Sequence, residues 1–353
     1  VTTTPAPAPT TAPTTVSRRR LIDRIPVVHQ VRQSYGVQRF MLVTGLILTL
    51  VFVILAIFAP LIAPYGYAQL RDDSGAFGAQ EEPSAQHLWG TTVGGYDVLS
   101  RVIWGAQTGL FVIVVAVVLS IFLGVLLGLI SGYLGGWLDR VLVVIADAIY
   151  AFPSLLLAIV MAIVLSGGQS GLVPGVFAAA ISLTVVYIPQ YFRVIRAETT
   201  RIKNEAFVES ARVIGASTPR IMFKHVLRNA TRTLPLIFTL NSSEAILTLA
   251  GLGFLGFGIE PSSAAEWGYD LNKAISDVTS GIWWTALFPG LAIVFVVLGI
   301  TLVGESLNDL ADPRLRGRRS VAASAGLTAQ TSVTAGGVID PPGGLTGLEE
   351  PER

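Results

Sequence analysis

Two carboxylates, Asp147 and Glu244, stand inside stretches that are otherwise almost wholly apolar. A carboxylate at membrane depth is costly, so each has to face a pathway, a proton or a partner group. Two roles stay open for them: contact with a transported substrate or proton, or a hydrogen bond that holds two helices together. No basic residue lies mid-span as an evident counter-ion. Other chemistry is scarce. The three histidines, His29, His87 and His225, lack metal-ligand spacing. No serine sits in a nucleophile motif such as G-x-S-x-G. The absence of cysteine excludes disulfides and thiolate sites. None of the three lysines (Lys203, Lys224, Lys273) follows a glycine, so the chain has no phosphate-binding loop of the G-x4-G-K-[ST] type. No catalytic residue, metal site or cofactor of its own is expected.

The elements that position these acids follow from composition. Of 353 residues, 52% are hydrophobic and 13% charged, too apolar a mixture for a soluble globule. Charge is segregated along the chain. Residues 1–39 read as a disordered, basic segment without signal-peptide character; Arg18, Arg19, Arg20, Arg24, Arg32 and Arg39 place it on the cytoplasmic side. A first transmembrane helix is expected at 40–62, long enough for a bilayer core of ~30 Å. Residues 63–105 carry most of the acidic outer charge and read as an extracytoplasmic loop with an interfacial helix, Trp89 and Trp104 serving as anchors.

Residues 106–316 form a five-helix core, with spans near 108–131, 141–165, 174–195, 234–257 and 285–308, and 317–353 a disordered tail. The second span repeats glycine every four residues from Gly124 to Gly136, which bares one helix face for close packing. Pro189 should remove one backbone hydrogen bond and kink the fourth span. Glycines from Gly251 to Gly258 should break the end of the fifth. The expected fold is all-α: six transmembrane helices with both termini in the cytoplasm. The basic residues track the inner membrane face, so no nucleic acid partner is expected.

Between the fourth and fifth spans lies the one long polar, helix-forming loop, 193–232, with nine basic residues against three acidic ones. Phe207, Ala211 and Ile214 fall on one side of a short helix. Gly215 stands where a C-terminal glycine would end it. Ser217-Thr218-Pro219 reads as the cap and first turn of a second helix. A basic anchor on anionic lipid is the general reading of such a loop.

The loop also resembles a more specific pattern. Glu209-Ser210-Ala211, three residues and then Gly215 are similar to the EAA-x3-G signature of ABC importer permeases, with Ser210 for the middle alanine and His225-Val226-Leu227-Arg228 where I-x-L-P would follow. His87-Leu88-Trp89-Gly90-Thr91 with Asp97-Val98-Leu99-Ser100-Arg101 resembles the outer-loop signature of the C-type permease of dipeptide, oligopeptide and nickel importers, although Thr92 and Tyr96 replace an Asp and an Arg. Gly132 to Asp139, Asp147, Ala151-Phe152-Pro153, Glu244 with Leu252 to Gly258, Trp267-Gly268 and Asp309 to Arg314 extend the likeness over about 40–316.

The resemblance implies the permease fold of type I ABC importers in a bacterial plasma (inner) membrane. It implies a homologous B-type permease, two ATPase subunits that carry ATP and Mg2+, and an extracytoplasmic peptide-binding protein as partners. It assigns Glu205, Ala206, Phe207, Glu209, Ser210, Ala211, Arg212, Gly215 and Ala216 to ATPase coupling. Asp147, Glu244, Pro153 and Pro189 are pathway or helix-packing candidates, and Trp89, Tyr96, Asp97 and Trp267 face the binding protein. Dipeptides or short oligopeptides are the leading cargo, with nickel or another metal complex, or glutathione, as the alternative. From the acids alone, a proton-coupled carrier using Asp147 and Glu244 is the rival of another class.

Overall fold

A computed structural model of the protein describes residues 37–166 and 172–311. The tails expected to be disordered lie outside them, except that residues 37–39 already belong to the first helix. By contacts, residues 1–307 form one unit and 308–353 a second, of which only the end of the last helix is described.

Helix α1 (Val37–Ile57) is followed at once by a single turn, α2 (Ala59–Ile62), where Pro60 occupies the first turn. A two-stranded hairpin, β1 (Arg71–Asp72) with β2 (Gly75–Ala76), sits in the long connection that follows. Helix α3 (Val98–Leu134) then runs for 37 residues. At 1.5 Å per residue it exceeds a bilayer core of ~30 Å, so it extends beyond the membrane. The separate interfacial helix expected within 63–105 is therefore corrected. Asp97 accepts the Ser100 backbone N–H at 2.7 Å and starts α3 there, so residues 98–105 are its first turns.

The third span is also corrected. It consists of α4 (Gly136–Tyr150) and α5 (Ser154–Ser166), bent by 97° at Ala151-Phe152-Pro153. Pro153 brings no N–H and disfavours the helical conformation in Phe152, which accounts for the break. Helix α6 (Leu172–Ile202) runs through Pro189 without interruption. The loop helix α7 (Ala206–Val213) is followed by α8 (Thr218–Arg220), a π-helical turn (Ile221–Val226), α9 (Leu227–Ala230), a 3-10 turn (Thr231–Thr233) and the fifth span α10 (Leu234–Phe254). Helix α11 (Trp267–Thr279) lies outside the spans and had no counterpart in the sequence reading; α12 (Trp284–Ala311) is the last span. Among the described residues five helices are long and apolar enough to cross a membrane, or six if the bent pair α4–α5 counts as one span.

The glycine ladder carries the main packing. A Cβ on Gly124 would stand 2.5 Å from the Tyr191 Cβ, on Gly128 2.7 Å from the Phe192 carbonyl oxygen, and on Gly132 2.7 Å from that of Arg196. Helices α3 and α6 thus meet backbone to backbone along three turns, where dispersion contacts and lipid release favour association. A second close crossing, not read from the sequence, joins α1 to α12 at Gly45 and Gly299. The apolar core between these helices is built on Val112, Ala116 and Val117 of α3 with Leu183, Tyr187 and Tyr191 of α6.

Candidate functional site

The 193–232 loop is held from both sides. Val208 and Ala211 of α7 are buried against Ile202 of α6 and against Ile221, Met222 and Val226 of the π turn. The apolar face expected from Phe207, Ala211 and Ile214 is corrected: only Ala211 points inward, and Val208 shares the buried side. Phe207 is exposed, and Val213 and Ile214 are 87% and 83% exposed. The reason is the end of α7. Gly215 takes φ +81°, its N–H bonds the Arg212 carbonyl at 2.9 Å, and the Ala216 N–H bonds the Ala211 carbonyl at 3.0 Å. That paired pattern closes the helix and turns Val213 and Ile214 outward.

Polar contacts fix the same loop to α3 and α4. Arg196 donates twice to Asp139, at 2.5 and 2.7 Å, and Ser131 donates to that carboxylate too. Lys203 donates to the Gly132 carbonyl at 2.8 Å. Arg212 lies over the Tyr133 ring, 5.9 Å from its centre. Glu205 provides the extended residue before α7, and Ser210 donates to the Ala206 carbonyl at 2.9 Å. Glu209 stays exposed. From Thr218 to Phe254 the chain is helical throughout, so the polar loop runs into the fifth span without a break.

Earlier in α6, Arg193 donates to Asp147 at 2.6 Å and its guanidinium lies 4.3 Å from the centre of the Tyr150 ring. The missing counter-ion of Asp147 thus comes from α6, at a position that the sequence reading assigned to the loop. Glu244 is half-buried beside Gln190, Tyr150, Phe152 and Ser154 around a cavity of about 190 Å³. Pro153 forms the break that borders this cavity, whereas Pro189 is buried within α6.

At the opposite end, two of the four residues expected to face a binding protein are interior. Asp97 is buried, bonded to Ser100 and to His87 Nδ1 at 3.0 Å. Trp267 is buried against Gly105 and donates to the Val102 carbonyl at 3.0 Å. These are corrections: Asp97 starts α3 and ties it to His87 of the preceding loop, and Trp267 fixes α11 to α3, so neither presents a surface. Trp89 stacks on Phe288 at 4.2 Å, and Tyr96 lies under Arg101 at 5.0 Å; both keep partial exposure. The buried Arg101 donates to Asp270 at 2.7 and 2.9 Å. Next to it, Glu266 caps α11 by accepting from the Gly268 and Tyr269 N–H groups, and burial pushes its carboxyl up to about 8. Gly253 leaves the room that Glu266 needs.

Among the described residues no group of three or more His, Asp or Glu side chains could hold a metal ion. The geometry is that of a multi-span membrane protein in which a helical lever, the continuous stretch from Thr218 to Phe254, runs from the polar loop into a span. Residues 124–317 match the family described as "Binding-protein-dependent transport system inner membrane component", and residues 39–80 match the "N-terminal TM domain of oligopeptide transport permease C". The chain belongs to the binding-protein-dependent transport permeases, as an ABC importer permease of the peptide type.

It is 37% identical over 308 residues, 85% of this chain and 98% of the relative, to the "Glutathione transport system permease protein GsiD" of Shigella flexneri serotype 5b (strain 8401). The protein of that name from Escherichia coli O157:H7 is 36% identical over the same shares. The chain is thus a multi-pass inner-membrane protein and a transporter subunit with no catalytic domain. Its family depends on ATPase and binding-protein partners, and this replaces the self-sufficient proton-coupled carrier.

Proposed function

We propose that this chain forms half of the pathway by which glutathione, or a short peptide closely like it, enters the cell. The observation that carries the substrate is the likeness to glutathione permeases over nearly their whole length. It favours the glutathione alternative over the general dipeptide reading and over nickel complexes. In this reading a homologous B-type permease supplies the other half. Two ATPase subunits dock on the cytoplasmic loop around Glu205, Phe207, Glu209, Ser210, Arg212 and Ala216, and both termini lie on that side.

Exposed Val213 and Ile214 give the lever an apolar tip for the ATPase groove, with Phe207 alongside. Closure of the ATPase dimer on ATP moves α7, and the continuous helix from Thr218 to Phe254 carries that movement into the bundle. A bound state shifts an equilibrium only through differential contacts, so the stiffness of this joint sets the coupling. Uptake by the reconstituted complex, with labelled glutathione against unlabelled dipeptides and nickel chelates as competitors, tests the reading. Glutathione should compete best; stronger competition by a nickel chelate would overturn it.

A further inference from the structure

We propose that the cavity at the break between α4 and α5 binds the amino-terminal ammonium group of the transported peptide, with Glu244 as its counter-charge. The proposal rests on the peptide-import reading and adds to it a recognition site within the membrane.

Three observations meet there. First, the Glu244 carboxylate and the Gln190 amide both line the cavity, and neither makes a hydrogen bond or ion pair among the described residues. An intramembrane carboxylate without a partner is costly unless something arrives to neutralise it. Second, the break frees backbone acceptors: among the described residues, the carbonyls of Tyr150, Ala151 and Phe152 receive no backbone N–H. Backbone of this kind at membrane depth has to line a wet cavity or be covered by protein. The C-terminal end of a broken helix carries partial negative charge and suits a cation. Third, the basic group beside the cavity wall is already spent: Arg193, which lies over the Tyr150 ring, is held by Asp147.

The acceptors select the ligand. An anion would meet the Glu244 carboxylate and the carbonyl end of α4. A divalent metal ion favours several hard oxygen ligands, and the cavity offers a single carboxylate. An ammonium group has three N–H donors, which the Glu244 carboxylate, the Gln190 amide oxygen and a carbonyl of the break can receive. A cavity of about 190 Å³ holds the amino end of a short peptide, not all of it. The remainder extends past Tyr150 and Phe152, which are 49% and 61% exposed.

The test uses the whole complex in proteoliposomes: this chain, its partner permease, the ATPases and the binding protein. Uptake of glutathione and of its N-acetyl derivative is measured for the unaltered chain, Glu244→Gln, Glu244→Asp and Gln190→Leu. Glu244→Gln should lower glutathione uptake at least tenfold and bring the two uptake rates close together. ATP hydrolysis stimulated by the binding protein should persist, and Glu244→Asp should recover most of the loss. Normal uptake and normal discrimination in Glu244→Gln would overturn the proposal while leaving the import reading intact. If that variant does not assemble, Gln190→Leu decides: impaired uptake by an assembled complex supports the site, and normal uptake refutes it. Failure of the unaltered complex to import either compound would overturn the import reading and this site together.

Discussion

Arg193 of α6 reaches across to Asp147 of α4, and the 2.6 Å contact joins the last turns of a span to the broken helix beside it. Both side chains are half-exposed in the isolated chain, which puts the pair on the surface available to a partner permease or to the pathway. Reversing the charges in Arg193→Asp with Asp147→Arg should restore much of the assembly that either single change loses. A double-mutant cycle on complex stability should give a coupling on the order of 1 kcal/mol, as for other exposed pairs. Additive losses would deny the pair a joint role.

Gly128→Leu should destabilise the permease, because even a Cβ there would press on the Phe192 carbonyl. Overpacking of this kind costs ~1–3 kcal/mol or more, and no flexible side chain is available to give way. Gly109→Ala is the matched control, since its nearest contact is Trp267 at 3.9 Å. Thermal unfolding of the detergent-purified chain should separate the two by several degrees.

The glycine ladder was legible in the sequence because it repeats at the helical period and has only one packing use. Span order and the position of the loop were legible from the same kind of long-range pattern. The face of α7 was not. Phe207 and Ile214 have the spacing of a buried stripe, but Gly215 and tertiary packing on Ile221 and Met222 select Val208 instead. Asp97 and Trp267 look like recognition residues by type; Asp97 is instead taken up by Ser100 and His87, and Trp267 becomes interior only once α11 folds onto α3. Helix α11 itself was hidden by its polar sequence, and the Arg193–Asp147 pair by a separation of 46 residues.

Gly215→Val should uncouple ATP hydrolysis from uptake. Its φ of +81° is strained for a β-branched residue, so the end of α7 would rearrange while the spans remain packed. The expected outcome is an assembled complex that hydrolyses ATP with transport reduced at least tenfold. Ile214→Asp should act earlier, by loss of the ATPase subunits from the purified complex, since this 83% exposed residue contributes little to the internal core.

Glu266 gives the far end a pH dependence. Its carboxyl is raised to about 8 by burial, so the fold favours the protonated form over the unfolded chain. This contribution to stability is fully present below the unfolded value near 4.5 and is lost as pH rises through about 8. Thermal unfolding between pH 6 and 9 should show a fall that Glu266→Gln flattens. An equal fall in both would assign it to another group.

The central claim is that this chain joins ATP hydrolysis to the delivery of a small peptide, and one measurement bears on it most directly. The chain would be captured from its native membrane, its co-purifying subunits identified, and ATP hydrolysis assayed with and without a glutathione-loaded binding protein. The account predicts a second permease, ATPase subunits, and hydrolysis that rises when the loaded binding protein is added. A chain that purifies alone, or hydrolysis indifferent to the loaded binding protein, would contradict it.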